Sequence, residues 1–357
     1  MRQLKAKSDI PILYKQNVAN DLFQLIYVFD MGNNHDKALG TAFDYLEYLG
    51  TSDMTPEELK SEFYRLACTF YVSPGNERTY VVLSGLNENM PAAVQLFEKL
   101  LADAQVNKEA YTNMTSDILK ARSDAKLNQG QNFSRLMSFA MYGPKSPATN
   151  LLTEAELTNM NPQELVDRIH NQNSYKHRIL YYGPSSSKDL LATINQYHQV
   201  PAALKDIPAG NEYSYLETPV TKVLVAPYDA KQIYMAQISN LDKKYDPAIE
   251  PIRALYDEYF GGGMNSIVFQ EMRETRGLAY SAWASIMPPS YLKYPYVLRT
   301  QIATQNDKMI DAVTTFNDII NNMPESEAAF KLAKDGLTNR LRTERIIKGD
   351  IIWSYIN

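Results

Sequence analysis

A six-residue pattern occurs twice in this sequence, 211 positions apart: Tyr45-Leu-Glu-Tyr-Leu-Gly50 and Tyr256-Asp-Glu-Tyr-Phe-Gly261 share Tyr-x-Glu-Tyr-apolar-Gly. Each copy ends a helical stretch that follows a β-rich run, and the strand-to-helix spacing agrees at that same offset. Between the copies lies an uneven polar stretch carrying Pro201, Pro208, Gly210 and Pro219, the composition of a linker. The repeat constrains the fold to α+β: two tandem homologous units, each a mostly antiparallel sheet with helices packed on one face. The expected boundaries are 1–200 for the first unit, 201–219 for the linker and 220–357 for the second. At about 150 residues per domain, 357 residues have room for two. The second copy is the shorter. Its last stretch, Thr343–Asn357, is a helical pattern with no Gly or Pro stop, so the second unit is expected to be incomplete and the chain a fragment.

The first unit reads strand, strand, helix. Ile10–Tyr14 and Phe23–Phe29 are β-rich, and Leu39, Ala42, Phe43, Leu46 and Leu49 fall at helical spacing. Thr55-Pro56-Glu57-Glu58 opens a second helix with Thr as cap and Pro in the first turn. Strands over 66–73 and 78–86 precede helices near 90–103, 107–128 and 131–141. Thr153 and Asn161 mark two further helix starts. A strand over 177–182 and a helix over 187–198 close the unit. Past the linker, Lys222–Ala226 and Gln232–Ile238 read as strands, and Asp246-Pro247 opens the helix that carries the second copy of the pattern.

Charge excludes one class of partner. With 36 Lys and Arg against 41 Asp and Glu, the net charge is −5, whereas nucleic acid demands a basic face. No apolar run approaches the about 18 residues of a membrane span, and the start, MRQLKAKSDIP, lacks the apolar core and cleavage site of a secretory signal. The compartment is not legible. Cys68 is the sole cysteine, which excludes an internal disulfide and a cysteine zinc cluster, and its strand-like surroundings predict an inert buried thiol. His35, His170, His177 and His198 are too scattered to suggest a local metal-binding pair.

The most informative segment is Gly261-Gly-Gly-Met-Asn-Ser-Ile-Val-Phe-Gln-Glu-Met-Arg-Glu-Thr-Arg-Gly-Leu-Ala-Tyr280. Three glycines after a helix permit a tight turn and close approach of another backbone. Neither the Lys-Ser/Thr of a P-loop nor the spacing of a dinucleotide fingerprint follows, so nucleotide binding is excluded. Asn265 or Ser266 caps the next helix, Ile267, Val268 and Met272 mark its core side, and Gly277 ends it. Arg273 falls in its last turn. Tyr280 follows on the strand expected over 278–286, and Arg276 reads as structural.

The segment from Gly261 to Ser281 resembles the second-domain signature of the pitrilysin/insulinase/mitochondrial processing peptidase superfamily. Gly40–Thr51, the helix from Pro56 leading into Ala67-Cys-Thr-Phe-Tyr-Val, and Leu83-Ser-Gly-Leu are similar to that family's first domain. Active members carry His-x-x-Glu-His on the first-domain helix, whose two imidazoles bind Zn²⁺ while the Glu acts as base and a distant Glu completes the ligands. The matching positions here are Asp44-Tyr-Leu-Glu47-Tyr48. Only the Glu remains, and around 107–125 Asn113, Met114, Ser116 and Asp117 offer no matching Glu.

The resemblance therefore implies a non-catalytic, substrate-binding half of a zinc metalloendopeptidase, in which zinc sits in a partner half of the same precursor or in trans. The chain itself is expected to bind no metal and to be inactive alone. The family's Arg/Tyr pair, which steadies bound peptide, maps onto Arg273 and Tyr280, with Gly261, Gly262 and Gly263 beside them. The alternative is a catalytically inert assembly subunit of the same fold. A third reading gives Asp44 and Glu47 an unorthodox metal site. Plainer roles suffice for Ser185-Ser-Ser-Lys188 as a loop and helix cap, for 288–296 as a strand connection, and for the basic run Lys331, Lys334, Arg340, Arg342, Arg345 and Lys348 as a solvated helix face.

Overall fold

The computed structural model describes residues 1–289, 291–345 and 350–354. Its elements, in chain order, are β1 (Arg2–Lys5), β2 (Pro11–Gln16), β3 (Leu22–Phe29), α1 (Leu39–Leu46), α2 (Pro56–Arg65), β4 (Cys68–Pro74), β5 (Thr79–Leu86), α3 (Met90–Asp103), α4 (Lys108–Ala125), α5 (Gln129–Tyr142), α6 (Glu154–Asn159), α7 (Gln163–Asn171), β6 (Arg178–Gly183) and α8 (Ser187–Tyr197). After a long irregular stretch come β7 (Gln232–Lys244), α9 (Glu250–Phe260), α10 (Ile267–Phe269) continuing as a π-helix over Gln270–Thr275, β8 (Ser281–Met287), β9 (Pro295–Gln305), α11 (Met309–Asn321), α12 (Glu327–Thr343) and α13 (Asp350–Trp353). The helix starts obey local chemistry. Thr55 accepts from the Glu58 backbone while Glu58 reaches back to the Thr55 N–H, and Thr153 and Glu156 repeat this box at α6. Ser186 caps α8, which gives the Ser185–Lys188 run its structural role.

The chain divides into two compact units: 1–122 with 150–212 and 346–357, and 123–149 with 213–345. These bounds differ from the sequence expectation in three places, the first being the expected linker, of which 201–212 belong to the first unit and 213–219 to the second. Residues 123–149 join the second unit because Gln129 Nε2 donates to the Gln232 carbonyl (2.7 Å), and the Phe133 and Tyr234 rings meet edge-on at 5.6 Å. α13 joins the first unit, whereas 346–349 and 355–357 of the expected C-terminal helix lie outside the described residues.

In the first unit six strands run in the order β1-β2-β6-β3-β5-β4, with β2 and β6 parallel and every other pair antiparallel. β3 is central, and its side chains alternate between faces as a strand dictates. Phe23, Leu25, Tyr27 and Phe29 enter the main core with residues of α1, α2, α3, α7 and α8. Ile26 and Val28 point the other way, into a smaller cluster with Val82, Leu180 and Ile352 of α13. The sheet is therefore covered on both faces at its centre, not on one. Cys68 is buried in the main core, and burial pushes its thiol above the ordinary range, as befits an inert group.

The second unit holds an antiparallel sheet ordered β7-β9-β8. Phe260, Val268, Met272, Ile302, Ala312 and Phe316 form its fully buried centre. Its strand order repeats that of β3-β5-β4 in the first unit: the earliest strand lies beside the last, and the last beside the middle one. One expected strand is missing. Lys222–Ala226 is irregular, and Val223, Leu224 and Val225 are exposed. In the first unit β2, 211 positions earlier, is held between β1 and β6. Among the described residues no strand flanks 222–226, and an apolar run without a neighbouring strand leaves its backbone groups to water. Among the described residues no helix is long and apolar enough to cross a membrane.

Candidate functional site

The positions that match the zinc motif lie at the end of α1: Asp44 in its last turn, Glu47 as its C-cap and Tyr48 just beyond. Leu39, Ala42, Phe43, Tyr45 and Leu46 are buried, and Asp44, Glu47 and Tyr48 share the exposed side. Tyr45 fixes the helix: its hydroxyl donates to the Asn107 carbonyl (2.6 Å) and accepts from the Asn107 N–H (2.9 Å), just before α4. Asp44 reaches solvent, yet the packed atoms around it, and then the Glu47 charge, push its carboxyl above the usual range. Two carboxylates and a phenol lack the imidazole donors that Zn²⁺ favours. Among the described residues no group of three or more His, Cys, Asp or Glu is arranged to hold a metal ion. Asp44, Glu47 and Tyr48 do not fit zinc.

The Gly-rich turn is built differently at each glycine. At Gly261 an added Cβ would stand 2.2 Å from the Ala284 carbonyl oxygen and 2.4 Å from its nitrogen, so the end of α9 lies directly on β8. The N–H groups of Gly261 and Gly262 both donate to the Asp257 carbonyl, at 3.1 and 2.6 Å. Asp257 also clamps α9 to β8 through its side chain, accepting from the Ile286 N–H (2.9 Å) and the Ser285 hydroxyl (3.0 Å). Gly263 has room: its nearest neighbour would be Glu258 Oε1 at 4.0 Å. Glu258, the repeat counterpart of Glu47, pairs with Arg340 of α12 at 3.0 Å.

Ser266 is the cap that opens α10, and Val268 and Met272 anchor the helix in the core. The helix then widens into its π-turn, a feature that often accompanies functional positions. Gly277 closes it at φ +57°, where a side chain would be strained. The Leu278 and Ala279 N–H groups both return to the Met272 carbonyl, at 2.8 and 3.2 Å, and the Tyr280 N–H joins the Ala303 carbonyl of β9 at 2.9 Å. This reversal carries Tyr280 back beside Arg273.

The two residues are in contact. The Arg273 guanidinium carbon lies 5.6 Å from the centre of the Tyr280 ring and 5.1 Å from that of Phe269, within cation–π range. Both residues are exposed, Tyr280 at 72%. Among the described residues no hydrogen bond uses the Arg273 donors or the Tyr280 hydroxyl, and Glu274 forms only a loose, exposed ion pair with Arg273 at 3.6 Å. Other arginines nearby are committed: Arg253 to Glu250 and Asp257, Arg276 to Glu271. The sequence reading assigned Phe269 no role. Its signal was the four-residue spacing to Arg273 on one helix face. Lys331, Lys334, Arg340 and Arg342 lie exposed on α12, and Lys348 lies outside the described residues, as does Ser290 of the 288–296 connection.

Residues 179–337 match the family model described as the peptidase M16 inactive domain. A protein of Rickettsia felis described as an uncharacterized zinc protease is 20% identical over 263 residues, 70% of this chain and 60% of that relative's length. The peptidase M16 inactive domain from Pseudomonas fluorescens has a similar fold, with a TM-score of 0.73 at 16% identity, covering 99% of this chain and 85% of that one. The periplasmic protease PqqL from Escherichia coli gives 0.78 at 15% identity, covering 98% of this chain but 39% of that one. Over residues 179–337 the sequence is thus similar to the peptidase M16 inactive domain, of the superfamily of pitrilysin, insulinase and the mitochondrial processing peptidase, and over nearly its whole length the chain shares the fold of solved M16-type structures.

Proposed function

We propose that this chain is the substrate-binding half of a two-half zinc endopeptidase that degrades or processes peptides, with metal, activated water and base supplied by a zinc-bearing partner half. The observation that carries the reading is the Arg273/Tyr280 pair, in contact, exposed and with its polar tips unspent. A guanidinium offers a rigid fork of donors and a phenol one more, which suits a peptide carbonyl or carboxylate oxygen. The Gly261–Gly263 turn would let the peptide backbone pass close, with Gly263 the glycine that has open space. The shared order β3-β5-β4 and β7-β9-β8 supports descent of both units from one duplicated module.

The test is complementation. Alone, the purified chain is expected to leave a fluorogenic peptide intact. Added to its zinc-bearing half it should restore turnover, and Arg273→Ala or Tyr280→Phe should lower that turnover with folding unchanged. Full turnover in both variants would transfer the chain to the rival reading, an inert assembly subunit, whose binding partner would lack a zinc motif.

A further inference from the structure

An exposed arginine on a free side chain samples many rotamers, and a ligand must meet the cost of ordering it. Arg273 is held instead. Its guanidinium lies over the rings of both Phe269 and Tyr280. Phe269 is itself fixed, partly buried on the short helix capped by Ser266, next to Val268 in the core. Tyr280 is fixed less well: its backbone is tied to Ala303, but its ring is largely exposed. The two rings therefore differ in kind. Tyr280 has a hydroxyl to offer a ligand, whereas Phe269 has only its face.

We propose that Phe269 is a positioning residue, which holds the Arg273 guanidinium against Tyr280 and sets the orientation in which both polar tips meet a ligand. This rests on the peptide-binding reading of the Arg273/Tyr280 pair and deepens it. Contact with the two rings restrains the guanidinium, while its N–H donors remain without a hydrogen bond among the described residues. The group bound is then a hydrogen-bond acceptor, a peptide carbonyl or carboxylate oxygen. Glu274 at 3.6 Å is too distant to take those donors in a hydrogen bond.

The experiment measures binding of a pool of fluorescein-labelled decapeptides without aromatic residues to the full chain, by anisotropy, alongside thermal melts. Phe269→Leu keeps apolar bulk and removes the π face. It is expected to weaken binding about two- to fivefold, the worth of one exposed cation–π contact, with the melt unchanged. Phe269→Tyr restores the ring and should restore affinity. In an Arg273→Ala background, Phe269→Leu should add nothing, because the group it positions is gone. If Arg273→Ala weakens binding but Phe269→Leu does not, the positioning role is overturned and the peptide-binding reading stands. An equal further loss from Phe269→Leu in both backgrounds also overturns it, by marking a merely structural effect. If the wild-type chain does not bind the pool, or Arg273→Ala binds as well as wild type, the peptide-binding reading itself falls.

Discussion

His177 Nε2 and His198 Nε2 stand 2.8 Å apart in the buried interior of the first unit, where two donors or two acceptors could not both be satisfied. The surrounding bonds resolve the arrangement. His177 Nδ1 faces the Tyr175 carbonyl at 2.7 Å and must carry a proton, so its Nε2 accepts from His198. His198 Nδ1 in turn faces Glu98 Oε1 at 2.7 Å, and the other oxygen of Glu98 accepts from Asn173 Nδ2 (3.0 Å) and the Gln199 N–H (2.9 Å). Burial, and then His198, lower the titration of His177 to about 3. The ordinary value is about 6.5, so below that pH the unfolded chain binds a proton that the folded one refuses. The contribution of His177 to stability is whole above about pH 6.5 and declines as pH falls towards 3, at up to about 1.4 kcal/mol per pH unit. Urea titrations between pH 7 and 5, above the main carboxylate range, should show the decline, and His177→Gln should flatten it. A slope unchanged in that variant would refute the assignment.

Glu98 is the anchor of that network, almost wholly buried: Asn173 Nδ2 and the Gln199 N–H donate to it, His198 Nδ1 faces it, and the Tyr27 side chain bonds to it. Glu98→Ala is expected to cost about 3 kcal/mol or more, because the loss strands Asn173, the Gln199 N–H and His198 without their acceptor. Urea midpoints at pH 7 measure this. A cost under about 1 kcal/mol would mean that water readily replaces the carboxylate.

How much of this was legible in the sequence depends on how local each feature is. The box at Thr55 and Glu58 and the helix over 90–103 appear as read, because caps and helical period are settled within a few residues. Lys222–Ala226 reads as a strand by its Val-Leu-Val run, but a strand also requires a neighbour, which no local pattern supplies. The hydrogen bond between two histidines has no local signal. Twenty-one positions separate His177 from His198, a spacing that suggests no local metal-binding pair and is silent on any other contact. They meet because one precedes β6, the other ends α8, and that helix folds back on the sheet. The Arg273 to Tyr280 contact was within reach, since a single helix end and one glycine turn join the two residues. The π-turn at this end, which carries Met272 in the core, has no composition of its own.

The three glycines should separate by experiment. Gly261→Ala forces a methyl into the Ala284 backbone at 2.2 Å and is expected to cost about 1–3 kcal/mol, as overpacking does. Gly263→Ala meets only a carboxylate oxygen at 4.0 Å and should stay within about 0.5 kcal/mol of wild type. Thermal or urea unfolding compares them. Equal destabilisation would remove the distinction between a glycine that seats α9 on β8 and one left open towards a passing peptide.

Metal supplies the last test, because the α1 positions make a definite statement about it. Asp44 and Glu47 sit one turn apart on an exposed face, and Tyr48 replaces the second imidazole. Two solvated carboxylates hold a divalent cation weakly, since each loses water for little return and no soft donor favours zinc. After incubation with zinc and desalting, elemental analysis should find far less than one metal per chain, and EDTA should leave the melting temperature where it was. Asp44→His with Tyr48→His would rebuild His-x-x-Glu-His on the same helix. Because none of Asn113, Met114, Ser116 and Asp117 of α4 is the matching Glu, that variant should gain only weak zinc binding, lost on desalting. Stoichiometric zinc retained by the wild-type chain would overturn the argument at its base, because it would require donors outside α1 that the fold does not bring together among the described residues.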